Sequence, residues 1–200
     1  MKTCSSSSSR QGFTLVELLV VIAIIAVLAT IGVTGGGAAL EKARRTTAQA
    51  TATSIANAVE QFYVEYAALP QSSSTASAGA GDIEVKTDSD GVPILRALTG
   101  EDTAQNPRGI RFLSVKQAKG TGATYKDGAQ YSGSSIVGIR DPWGQPFYLV
   151  IDANYDGKID FPAGSPLPSV PATINGRRVV VYSNGTDGGA ASTKTFVKTW

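Results

Sequence analysis

Between Phe13 and Val33 the chain runs for 21 residues with a single charged side chain, Glu17. Few folds tolerate such a segment in water. As an α-helix rising about 1.5 Å per residue it spans about 30 Å, the thickness of a bilayer's hydrocarbon core. Lys2 and Arg10 precede the run, so the reading places the N-terminus in the cytoplasm and carries the remainder across. A secretory signal peptide is the first rival. Its apolar core would be shorter, and an acidic residue near its start would have no purpose.

Beyond Val33 the patterning changes. Thr34-Gly35-Gly36-Gly37 marks either the end of the membrane helix or a weak point in a longer one, because each glycine costs about 1 kcal/mol relative to alanine inside a helix. Ala48, Ala52, Ile55, Val59, Phe62, Tyr66 and Leu69 then recur at alternating spacings of four and three, with Arg45, Gln49, Thr53, Asn57, Gln61 and Glu65 on the opposite side. This is one apolar stripe, predicting an amphipathic helix to about Ala68, before Pro70. Residues 71–82 are a Ser/Ala/Gly loop. Val92–Leu98 reads as a short helix opened by Asp90, with Pro93 in its first turn and Gly100 beyond its end. Ile110–Val115, Ile136–Ile139, Phe147–Ile151, Arg177–Tyr182 and Thr195–Lys198 read as strands between turn residues. The expected fold class is α+β: a long N-terminal helix packed on a small, loop-rich antiparallel sheet.

Composition excludes several chemistries. There is no histidine, and the one cysteine, Cys4, lies in the polar segment ahead of the apolar run. Ser-His-Asp and Cys-His nucleophiles and the usual zinc ligand sets are therefore missing, so no enzyme is expected. The 18 basic and 16 acidic side chains nearly cancel, so nucleic acid is not an expected partner. Lys116, Lys119 and Lys126 give only a weak hint of a basic patch.

One short block accounts for the lone acid. Gly12-Phe13-Thr14-Leu15-Val16-Glu17 sets a glycine, an aromatic, a small polar residue, two aliphatics and a glutamate directly at the start of the membrane run. It resembles the cleavage and methylation site of type IV pilins and type II secretion pseudopilins. The resemblance implies that a prepilin peptidase cuts between Gly12 and Phe13, that Phe13 becomes the N-methylated terminus, and that Glu17 guides assembly. A carboxylate in an apolar helix is expensive, about 2.5–3.5 kcal/mol at the bilayer centre and less near the interface, so it ordinarily has a partner. The amine freed at Phe13 would supply one.

Two later blocks extend the likeness. Asp141-Pro142-Trp143-Gly144-Gln145-Pro146-Phe147 and Val181-Tyr182-Ser183-Asn184-Gly185-Thr186-Asp187-Gly188 resemble segments of major pseudopilins of type II secretion, in the family's order. On residue chemistry alone the first is a turn leading into a strand, with Trp143 packed on the sheet. Thr34 stands where many pilins carry a proline, the region from Ser72 to Tyr131 is long for a pseudopilin, and the cysteine pair of many pilus-forming pilins is missing.

The resulting division is a leader at 1–12, a membrane-spanning half-helix at 13–34, an amphipathic half at 35–69 and a β domain at 70–200. The likeness implies a single-pass inner-membrane protein with its globular domain in the periplasm. Its partners would be the peptidase, membrane lipid, an inner-membrane assembly platform, and copies of itself and other pseudopilins in a filament. The alternative is a type IV pilus subunit or minor pilin acting in adhesion, motility or DNA uptake. A third possibility is a membrane-tethered calcium-binding or enzymatic domain.

Calcium is the one cofactor with sequence signals. Asp152, Asn154, Asp156, Lys158 and Asp160 alternate around Gly157 like the first nine positions of an EF-hand loop. The twelfth position is Ala163, so the bidentate glutamate is lacking. A second candidate is the loop with Ser183, Asn184 and Asp187, since related pseudopilins bind calcium in their C-terminal loop. Either is equally readable as an acidic, solvated turn.

Overall fold

The computed structural model describes residues 13–73, 81–120, 122–161, 172–187 and 195–200, and the side chains of 31–36 and of Asp187 stand outside that set. The chain forms two compact units, Met1–Lys42 and Ala43–Trp200.

Helix α1, Leu15–Tyr66, runs through both. Its backbone stays helical across Gly35–Gly37, so the glycines are not its end but lie within a longer helix. Helix on both sides spares them a nucleation cost, which leaves only their per-residue penalty to offset. Among the described residues no helix is long and apolar enough to cross a membrane. The expected span, 13–34, runs beyond the described side chains of the first part of α1, which stop at Thr30.

In the second unit the apolar stripe is the buried face of α1. Ala48, Ala52, Ile55, Ala58, Val59 and Phe62 are buried, Tyr66 is half-buried, and Arg45, Gln49, Thr53, Asn57, Gln61 and Glu65 are exposed. The helix ends at Tyr66, two residues short of Ala68, because Ala67 turns left-handed (φ 52°).

Among the described residues the chain then forms eight strands: β1 (Ile83–Lys86), β2 (Gly128–Ser132), β3 (Ser135–Arg140), β4 (Tyr148–Ile151), β5 (Lys158–Asp160), β6 (Thr173–Asn175), β7 (Val179–Ser183) and β8 (Val197–Lys198). They make a four-stranded antiparallel sheet in the order β1-β4-β7-β8 and two hairpins, β2-β3 and β5-β6. The α+β expectation holds. One face of the main sheet offers Val85, Leu149, Ile151, Val179, Val181 and Val197 to the core shared with α1. The opposite face carries Tyr148, Val150, Val180 and Tyr182, packed with Ile159, Phe161, Phe196 and Trp200. Val179–Ser183 is buried throughout, as a central strand covered on both faces must be.

Helix α2 (Val92–Thr99) lies where its sequence placed it, with Pro93 in its first turn and Gly100 closing it at φ 81°. Its N-cap is Gly91 rather than Asp90, whose carboxylate instead accepts the Lys86 N–H (3.0 Å) and the Ser89 hydroxyl (2.9 Å).

Ile110–Val115 is not a strand. The N–H groups of Phe112 and Leu113 both reach the Leu98 carbonyl (2.9 and 3.0 Å), an orphan acceptor at the end of α2. The Ile110 N–H and C=O are both taken by the Asn106 side chain. Asn106 is fully buried, and it also bonds the Ala97 carbonyl (2.7 Å) and the Tyr66 hydroxyl (2.6 Å). A β-favouring segment is held as irregular chain because helix ends and one asparagine satisfy its backbone.

Candidate functional site

The first unit presents an uncovered apolar helix. From Phe13 to Leu28 its large hydrophobic side chains expose between 46% (Val21) and 83% (Phe13) of their surface. Nothing among the described residues buries them, and a continuous apolar surface of this kind marks contact with lipid or another chain.

At the start of α1, Thr14 and Glu17 form a capping box. The Thr14 N–H and hydroxyl both donate to Glu17 Oε2 (2.9 and 2.8 Å), and the Glu17 N–H donates back to Thr14 Oγ1 (3.3 Å). The lone acid of the apolar run thus has a partner within its own chain. Gly12 lies outside the described residues, as does the leader at 1–12, while Phe13 is described and stands exposed.

In the second unit the block that begins at Asp141 meets the one that begins at Val181. Asp141 is 1% exposed, and its Oδ1 accepts the N–H groups of Trp143 (2.9 Å) and Gln145 (2.8 Å). Its other oxygen accepts the hydroxyl of Ser183, itself fully buried at the end of β7. The Gly144 N–H closes the turn on the Asp141 carbonyl (3.0 Å), Gly144 sits at φ 94°, and half-buried Trp143 packs against the core. The turn-then-strand reading is therefore correct, and the Asp141–Ser183 link is what it missed. Burial pushes the Asp141 carboxyl above the usual aspartate range, against the lowering effect of the Ser183 hydroxyl and the three amides.

The EF-hand-like loop joins β4 to β5. Asp152, 1% exposed, accepts the N–H groups of Asp156 (3.1 Å) and Gly157 (2.9 Å). Asn154 Oδ1 also accepts the Asp156 N–H, and Asp156 accepts that of Lys158 (2.9 Å). Asp160 accepts the Thr173 hydroxyl across the β5-β6 hairpin. Gly157, at φ 76°, makes the turn its position in the motif requires. Among the described residues no group of three or more His, Cys, Asp or Glu side chains is placed to hold a metal. Asp82, just ahead of β1, comes in from elsewhere in the chain and accepts the Asp160 N–H. Partial burial, followed by the charges of Asp152, Asp156 and Asp160, raises its pKa. No local signal marks Asp82 as a member of this group, because 70 residues separate it from Asp152. Ala163 and Gly188 lie outside the described residues, as does the Asp187 side chain.

Of the lysine trio, Lys116 and Lys119 share one acid, Asp127 (2.6 and 3.4 Å), and Lys126 is bridged through its backbone to Lys119.

Residues 7–33 match the family model described as the prokaryotic N-terminal methylation motif. No curated protein and no solved structure matches the chain.

Proposed function

The chain carries the type IV pilin-like prepilin signature, and from that premise we propose that it is a structural pseudopilin of a type II secretion system. The prepilin peptidase cuts between Gly12 and Phe13, and Phe13 is N-methylated. The subunit waits in the inner membrane with residues 43–200 in the periplasm, then joins copies of itself and other pseudopilins in a filament. Growth of the filament drives exported proteins across the outer membrane. One observation carries the structural role: the side chains of Phe13–Leu28 are left uncovered, whereas the second unit has a complete core of its own. A helix of this kind is stable only in lipid or in a bundle of like helices.

The choice of secretion over a surface pilus rests on the two C-terminal blocks, whose bonding through Asp141 and Ser183 makes them one structural device. Pairing of Lys116 and Lys119 with Asp127 weakens the case for DNA uptake. The test is deletion of the gene followed by a secretion assay. Loss of exported protein from the medium, with surface pili and twitching intact, supports the proposal. Normal export with lost pili transfers the chain to the pilus alternative.

A second proposal is that the Asp152–Asp160 loop takes calcium. Its support is Asp82, which brings a further carboxylate to a loop whose own twelfth position has none. A bound cation would relieve the mutual repulsion of these charges. Calcium titration of residues 38–200, followed by melting temperature, tests it.

A further inference from the structure

We propose that a cavity at the base of the β5-β6 hairpin binds a carboxylate, carried either by a small acid or by an acidic residue of a peptide. The cavity, about 230 Å3, lies in the second unit between α1, the Asp152–Asp160 loop and the turn from β6 to β7. That turn brings two consecutive arginines to one opening, and it is tied down on both sides of Arg177. The Gly176 N–H donates to the Gly157 carbonyl (2.8 Å), and the Arg178 carbonyl accepts the Asp152 N–H (2.9 Å). Arg178 lies over the Tyr63 ring at 4.1 Å and reaches Glu60 at 3.3 Å, so its charge is already shared. Arg177 differs. It lines the cavity, and its guanidinium has no ion pair or hydrogen bond among the described residues.

Another wall is a tyrosine in a strained backbone. Tyr155 stands at φ 59°, a left-handed conformation that a bulky side chain seldom takes. Its hydroxyl accepts the Leu69 N–H (3.1 Å), which fixes its ring 6.4 Å from that of Tyr63. Asp152 sets the limit on charge. It is buried in the wall with its oxygens accepting the Asp156 and Gly157 amides, and a dianion such as phosphate would be repelled by it. A carboxylate carries a single charge, matches the planar guanidinium fork of Arg177 with two parallel bonds, and can lay its carbon chain against the Tyr155 ring. The volume, room for roughly seven waters, suits a group of that size.

The experiment uses the full-length chain in detergent micelles with chelator present, so the calcium reading of the neighbouring loop does not enter the result. Acetate is titrated at constant ionic strength while the arginine Nε–Hε signals are followed by NMR. The expected result is saturable binding that weakens about ten-fold or more in Arg177→Gln, the loss of one charge-assisted contact. Arg111→Gln, at an exposed arginine outside the cavity, should bind as wild type does, and phosphate should bind more weakly than acetate. Equal weakening by both variants, tighter binding of phosphate, or a titration that never saturates would each overturn the site. A blocked glycine-glutamate-glycine peptide and its glutamine counterpart separate the two sources. A glutamate peptide that binds more tightly than acetate, beside an inert glutamine peptide, supports an acidic peptide as the occupant. Acetate binding as tightly as the glutamate peptide, or more tightly, supports a small acid. Equal binding of the two peptides would overturn the carboxylate's part in recognition.

Discussion

The Asp141 carboxylate accepts the hydroxyl of Ser183 from 42 positions further along the chain, and neither side chain reaches solvent. The turn that launches β4 is thereby fastened to the end of β7, the strand beside it. Two sequence blocks that look like separate family marks are one hydrogen-bonded unit.

Removing that carboxylate should be costly. Asp141→Ala leaves two half-buried backbone N–H groups and the buried Ser183 hydroxyl without their acceptor, and we expect a loss of about 3 kcal/mol in urea unfolding. Asp141→Asn keeps an acceptor for the two amides and should lose about 1 kcal/mol. The pH dependence has a definite sign. A carboxyl with a raised pKa in the folded state contributes fully below the ordinary aspartate range, and that contribution fades as pH rises through the raised value. The stability of wild type relative to Asp141→Asn should therefore fall across that window. A difference that grows with pH would show that the carboxyl is not held against burial.

Gly185 follows the same cluster at φ 66°, and a Cβ there would collide with Thr195. Gly185→Ala combines left-handed backbone with a steric clash, and about 2 kcal/mol or more of destabilisation is expected. Thermal melting checks it. An unchanged melting temperature would mean that Thr195 is free to move away.

Processing is tested at Gly12. Gly12→Ala should accumulate as full-length precursor in the membrane, visible as an intact Met1 by mass spectrometry. Glu17→Ala should be inserted and cleaved but absent from sheared filaments. A domain merely tethered by its helix would keep its function in both variants.

The acidic loop makes a two-part prediction. With chelator at neutral pH, Asp82→Asn should melt at or above wild type. The raised pKa of Asp82 means that its charged form opposes folding once pH exceeds the ordinary aspartate range, and asparagine removes that charge while still accepting the Asp160 N–H. With excess calcium the order should reverse, because wild type gains a ligand that the variant holds less well. No calcium-dependent shift in wild type would remove the loop as a cation site.

Local sequence determined a great deal here. The membrane-like run, the stripe from Ala48 to Phe62, the eight-residue helix with Pro93 and Gly100 at its ends, and the turn at Asp141 all depend on neighbours within a few residues. Helical and strand periodicities record such neighbours directly. Tertiary structure alone decided where unsatisfied groups found partners. Ile110–Val115 has the composition of a strand, yet its amides bond the Leu98 carbonyl and Asn106 instead of a neighbouring strand. Strands β1, β5 and β6, only three or four residues each, have too little pattern to be read alone and exist through pairing. Asp82 reached the Asp152 loop, and Ser183 reached Asp141, for the same reason. A chain specifies its short-range geometry residue by residue, but which distant donor meets which buried acceptor is fixed only when the whole core closes around them.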